Sequence, residues 1–213
     1  MHLTSAGREV LKWLALVLMT GDHINKVLLQ DGLPWLTDVA RVVFPIFAMV
    51  LAYNLVQHPD PQAARRSLLR LLVVAVLVQP FHAWAFGYWV PLNVLFSLAL
   101  GVYCCTEANR PLALAAALAG GLVVDYGWCG PAIMLSTMAV LRSGGRWWTW
   151  VCLLVSVAGL YAINGNLYAL AAFPLVWMLG TLPGRVPRWR WAFLGYYCAH
   201  LAVLVALRPA LGV

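Results

Sequence analysis

Residues Leu11–Gln30 read LKWLALVLMTGDHINKVLLQ. The run opens as an apolar membrane span, then places Asp22, His23, Asn25 and Lys26 where leucines are expected. An ionisable group in hydrocarbon costs about 2.5–3.5 kcal/mol on insertion scales. Four polar positions in one turn therefore ask for a reason beyond packing. Asp22 and Lys26 stand at i,i+4 with the acid N-terminal, the better order for a helical ion pair. Lys12 precedes His23 by about three turns, so both point the same way at different depths.

The rest of the chain shares this solvent. It has 213 residues, 63% hydrophobic and 10% charged, with mean hydropathy +0.83. A soluble domain carries about a quarter charged residues, so the fold expected is an all-α polytopic membrane protein, one domain over residues 1–213. The net charge of +7 is a topology signal rather than a nucleic-acid surface, because Lys and Arg collect on the cytoplasmic side of membrane proteins. The first span is too polar for a secretory signal peptide and is expected to be retained. The five cysteines, Cys104, Cys105, Cys129, Cys152 and Cys198, form no CxxC and share no spacing with histidines, so no metal site is expected.

Further spans are expected at Val39–Gln57, with FPIF inside it, at about Leu68–Phe86, and at about Leu92–Thr106. Leu112–Val124 and Pro131–Leu141 are each short for a bilayer crossing, and the first would borrow DYGWCG (Asp125–Gly130) to complete its depth. Trp147–Ile163, Leu167–Leu182 and Trp191–Leu207 bring the total to about nine. Arginines alternate with this order. The N-terminus and every second loop hold Arg8, Arg65, Arg66, Arg70, Arg110, Arg142, Arg146, Arg185, Arg188 and Arg190, while the intervening loops hold none beyond Arg41 at a span edge. The positive-inside rule then places the N-terminus in the cytoplasm.

In that frame His23 lies near mid-membrane beside a carboxylate, and Arg41, Asn54, Asn93, Asp125 and His200 add polar groups to other spans. So many costly groups suggest one lined cavity. A His beside a carboxylate suits general-base catalysis, the carboxylate fixing the tautomer. The same pair suits proton movement in a transporter, and Asp22–Lys26 alone would serve as a buried ion pair fixing helix packing. The basic loops are topology determinants that also suit a phosphate-rich cytosolic ligand. The absence of P-loop, GxSxG and HExxH patterns argues against nucleotide-driven pumps and familiar hydrolases.

Six stretches in order carry a resemblance: LALVLMTGDHIN (Leu14–Asn25), ARVVFPIFAMVLAYNL (Ala40–Leu55), RLLVVAVLVQPF (Arg70–Phe81), NVLFSLALG (Asn93–Gly101), DYGWCG (Asp125–Gly130) and YYCAHL (Tyr196–Leu201). On these the chain resembles the TraX family of membrane proteins that N-acetylate conjugative pilins, departing at Ala40, where Gly is usual. It is also similar to the wider membrane acyltransferase group, in which a basic residue precedes a first-span His as Lys12 precedes His23.

The resemblance implies acetyl transfer from cytosolic acetyl-CoA to the N-terminal amine of a pilin subunit at the bacterial inner membrane. His23 would be the general base and Asp22 its orienting partner, with Lys26 in the same catalytic turn. Arg41 and Asn93 would polarise the thioester carbonyl. Lys12, Arg65, Arg66, Arg70, Arg142 and Arg146 would hold the coenzyme, and Asn54, Asp125, Tyr126 and His200 the acceptor side. A proton-coupled transporter using Asp22, His23 and Asp125 is the rival reading, and a non-catalytic pilus-assembly factor the third.

Overall fold

The computed structural model describes residues 1–187 and 191–209. Arg188 and Arg190, counted above among the basic-loop residues, lie outside the described residues. The chain begins with α1 (Ser5–Val27), capped by the Thr4 hydroxyl, which accepts from the Gly7 amide. Then come α2 (Pro34–Ala40), α3 (Val43–Gln57), α4 (Pro61–Phe86), α5 (Val94–Thr106) and α6 (Arg110–Gly120). The second half holds α7 (Cys129–Arg142), α8 (Trp147–Ala158), α9 (Tyr161–Asn164), α10 (Ala172–Gly180), entered through a 3-10 turn at Tyr168–Ala171, and α11 (Ala192–Leu207). No strand forms among the described residues. Three helical runs, Pro34–Gln57, Pro61–Phe86 and Trp147–Asn164, are long and apolar enough to cross a membrane, and five shorter apolar helices accompany them. The protein is thus an all-helical membrane protein. Its α4 presents Val73, Val76 and Leu77 outward, each more than half exposed, as a lipid-facing stripe requires.

The expected second span is two helices. Proline at position 45 has no N–H for the carbonyl of Arg41, four residues back. The first helical bond of α3 instead runs from Ile46 N–H to the Val42 carbonyl at 3.1 Å. The helix therefore breaks at Arg41 and Val42, and Pro34 starts its outer piece as an N-terminal proline does. The expected seventh span is also interrupted, without a proline, at Gly159–Leu160 between α8 and α9, where Leu160 N–H bonds the Val157 carbonyl at 3.1 Å.

Two contacts sink part of one face into the bundle. Asn93 caps α5 through its Oδ1, which accepts from the Leu95 amide at 3.1 Å. Its Nδ2 donates to the Ala75 carbonyl at 2.9 Å and to Gln79 Oε1 at 2.8 Å. Those partners lie roughly 10–16 Å short of the far end of α4, at ~1.5 Å rise per residue. The 121–128 segment joins at the same depth, with Leu92 N–H donating to the Val123 carbonyl at 2.7 Å and Asp125 N–H to the Leu92 carbonyl at 2.9 Å. Irregular backbone survives at membrane depth only where protein or a cavity satisfies it. These bonds do so, which is why α6 stops at Gly120 instead of continuing through Asp125–Gly130 as expected.

At the opposite, arginine-bearing end, α1 and α10 touch backbone to backbone. A Cβ on Gly7 would collide with the Gly180 carbonyl, and one on Gly180 with the Leu3 side chain. Thr4 ties the same corner, its amide donating to the Gly180 carbonyl at 2.9 Å and its hydroxyl to that of Leu182 at 2.6 Å.

Candidate functional site

A cavity of about 580 Å³ opens between α1, α3, α4 and α11, within the 300–1,000 Å³ range of small-molecule sites. Its wall follows α1 from Lys12 to Lys26, roughly 21 Å of helix. Of the residues singled out in the sequence, Lys12, Asp22, His23, Lys26, Arg41, Asn54, Asp125 and Tyr126 line it. The Arg-end mouth is made by Lys12 and Asn54. Lys12 pairs with Glu9 at 2.8 Å and lies over the Phe193 ring, and the Arg8 guanidinium donates to Asn54 Oδ1 at 2.6 Å.

Toward the opposite end of this wall, Lys26 Nζ holds Asp22 Oδ2 at 2.7 Å, the i,i+4 pair expected. This corrects the expectation that Asp22 orients His23, because the carboxylate is turned to the lysine and its Oδ1 has no protein partner. What meets His23 is another histidine: its Nδ1 lies 2.7 Å from Nε2 of His200, the two rings stacked at 11°. The tautomers follow from the next bond. His200 Nδ1 lies 3.0 Å from the Tyr196 carbonyl, which only accepts. Nδ1–H of His200 therefore donates to that carbonyl, its Nε2 accepts from Nδ1–H of His23, and Nε2 of His23 keeps its lone pair.

Arg41 is placed by the α2–α3 break. Its guanidinium forms no ion pair among the described residues, and its Nε is buried without a partner. One turn on, Phe44 stacks flat on Tyr126, ring centroids 3.8 Å apart. This joins the FPIF and DYGW motifs across the cavity wall. Asp125, beside Tyr126, lies in the field of Lys26, Asp22 and Arg41.

Several expected site residues stand elsewhere. Asn93 is fully buried by the cap described above and has no spare polar atom for a ligand. His200 lies behind His23, facing a second, apolar groove with Ile24, Val203 and Leu207 rather than the main cavity. Arg65, Arg66, Arg70, Arg142 and Arg146 do not line the cavity. Their helix ends carry them to the bundle surface: Arg66 pairs with Asp60 at 3.2 Å, and Arg70 lies over the Trp191 ring beside Leu71, which does line the cavity. The structure also adds residues that the sequence reading passed over, among them His82, Tyr88, Asn164 and Tyr197. His82 carried a signal, a polar side chain in the apolar far half of a span. Tyr197 and Asn164 carried none that separates them from packing or turn residues.

Fold and site together define a polytopic helical membrane protein with an oriented histidine pair beside a largely apolar cavity that carries several polar and charged side chains. The chain belongs to the TraX family, whose profile, described as "TraX protein", matches residues 7–208. It is 30% identical over 217 residues to "Protein TraX" of Escherichia coli (strain K12), covering 94% of this chain and 86% of that one. It is 29% identical over 218 residues, with the same coverage, to a second "Protein TraX" of Escherichia coli. No solved structure matches the chain.

Proposed function

We propose that this chain is an integral membrane acetyltransferase, moving an acetyl group from cytosolic acetyl-CoA to the N-terminal amine of a pilin subunit during conjugative pilus maturation. It would work in the bacterial inner membrane with its N-terminus and arginine-bearing end in the cytoplasm. The observation that carries this reading is the fixed tautomer of His23, whose free Nε2 belongs to a residue lining a cavity. Membership of the TraX family supports the acceptor.

Acetyl-CoA supplies the acetyl group as a thioester, already activated toward an amine. The slender acyl arm suits the cavity, entering past Lys12, while the phosphates stay at the surface among Arg65, Arg66, Arg70, Arg142 and Arg146. His23 Nε2 takes the proton that the acceptor nitrogen sheds as its bond to the acetyl carbon forms. His23 returns that proton to the sulfur as the carbon–sulfur bond breaks, so the base is regenerated. His200 holds the imidazole in place and stabilises the imidazolium through its Nε2. Arg41, without a carboxylate partner among the described residues, offers its guanidinium to the carbonyl oxygen on which negative charge gathers. An α-amine with a pKa near 7.7–8 needs only modest help from such a base.

The test is mass spectrometry of the cognate pilin made with the wild-type protein, with His23→Ala at matched membrane level, and with neither. One acetyl group on the pilin N-terminus, present with wild type and lost in the variant, is the expected result. An unmodified pilin in all three would overturn the reading and leave the transporter and assembly alternatives.

A further inference from the structure

Asn164 stands at the end of α9, in the turn Asn164–Gly165–Asn166, and lines the main cavity. It is only 9% exposed, and neither its Nδ2 nor its Oδ1 has a partner among the described residues. The chain's other asparagines use their amides. Asn166, two residues on, donates from Nδ2 to Asp38 at 3.1 Å and accepts at Oδ1 from the Tyr168 amide at 3.2 Å. Asn25 and Asn93 have both ends paired, and Asn54 and Asn109 each accept a bond at Oδ1. Leaving a buried polar group unpaired is destabilising, because its lost hydration is not replaced. The turn does not demand it, since Gly165 takes the left-handed backbone position, φ 71°, and Asn166 ties the turn to α2.

An amide with one free donor end and one free acceptor end is the complement of a peptide group, which offers one N–H and one C=O. The side-chain torsion χ2 of asparagine is soft, so the amide can turn to meet a partner in the cavity. Two further buried groups on residues lining the same cavity have no partner among the described residues, Asp22 Oδ1 and Arg41 Nε. A carboxylate oxygen suits the ammonium form of an arriving α-amine, and a guanidinium N–H suits a carbonyl. We infer that Asn164 reads the first peptide bond of the acceptor, Oδ1 accepting from its N–H and Nδ2 donating to its C=O. The site then takes a peptide N-terminus in preference to a simple amine. This rests on the acetyltransferase reading and adds to it a specificity-determining residue.

The experiment uses the purified full chain in lipid nanodiscs with acetyl-CoA and two synthetic acceptors. One is the N-terminal segment of the pilin. The other is the same segment with the first peptide N–H replaced by an ester oxygen. Wild type is expected to acetylate the amide about tenfold faster than the ester in kcat/KM, the effect of one hydrogen bond to a fixed partner. Asn164→Leu is expected to bring the ratio to about one with no loss of thermal stability, because it removes an unpaired buried amide. Asn164→Ala serves as the second variant should the leucine not fit. An unchanged ratio in the folded variants overturns the inference alone, as does a large loss of stability, which would mark the amide as a structural group. Failure of folded wild type to acetylate either acceptor overturns the acetyltransferase reading and this inference with it.

Discussion

His23 Nδ1 and His200 Nε2 meet at 2.7 Å across a sequence separation of 177 residues, and the Tyr196 carbonyl behind them fixes which nitrogen carries each proton. In the proposed acetyltransferase, this pair would serve as base and orienting partner, with imidazole in place of the usual carboxylate. A neutral orienting partner stabilises the imidazolium less than a carboxylate would. It also avoids burying a second charge beside the first, which at this depth is expensive.

The role of His200 is checked by substitution. His200→Phe keeps an aromatic ring and removes the acceptor, and pilin acetylation is expected to fall at least tenfold, a part of the ~10²–10⁴-fold that general-base contributions span. His200→Gln, which can accept from His23 through its amide oxygen, is expected to recover part of that rate. Equal rates in the two variants, at equal membrane levels, would show that the ring only packs.

The Asp22–Lys26 pair makes a stability prediction. Asp22 is the more buried partner, its side chain 14% exposed against 30% for Lys26. Lys26→Met leaves an uncompensated carboxylate and is expected to cost about 2–3 kcal/mol, below the range for a fully buried pair. The double substitution Asp22→Asn with Lys26→Met is expected to be the milder of the two in thermal unfolding in detergent. If the double variant is no more stable than the single one, the pair is not coupled as the 2.7 Å contact implies.

Asn93 should behave as a structural residue. Asn93→Ala removes a helix cap and leaves Gln79 Oε1 without its Asn93 side-chain donor, with an expected cost of about 1–3 kcal/mol. Adding Gln79→Ala should cost much less than the sum of the two single changes, because the residues share one network. Full thermal stability in Asn93→Ala together with lost acetylation would return Asn93 to the chemistry.

At the arginine-bearing end, Gly7→Leu should force α1 and α10 apart, because the obstacle is a backbone carbonyl that cannot rotate away, whereas Gly180→Leu meets the end of the Leu3 side chain, which can shift, and should do less harm. Overpacking of this kind costs about 1–3 kcal/mol or more. Reduced membrane levels and a lowered unfolding temperature are the expected outcomes. Gly195→Leu, on open space in α11, is the control expected to change little.

The covalent order of the chain already carried the solvent, the helix positions and the most improbable turn. Apolar runs between arginine-rich loops mark helices whatever their neighbours do, and the charges at Asp22, His23 and Lys26 stand out because hydrocarbon penalises them one residue at a time. Pro45 also told its own story locally, since a missing N–H frees a carbonyl regardless of the fold. Partnership was a different matter. Adjacency in sequence suggested that Asp22 serves His23, but neighbouring residues on a helix point about 100° apart, and the i,i+4 lysine is the closer partner. The sequence holds His200, Asn164 and Asn93 as three polar side chains in apolar or turn surroundings, with nothing local to rank them. Packing α11 against α1 and α4 turned the first into the support of His23, and the α9 turn left the second unpaired at the cavity. The Ala75–Gln79 stretch of α4 consumed the third. A hydrogen bond depends on position to a few tenths of an ångström, and only the packed helices set that.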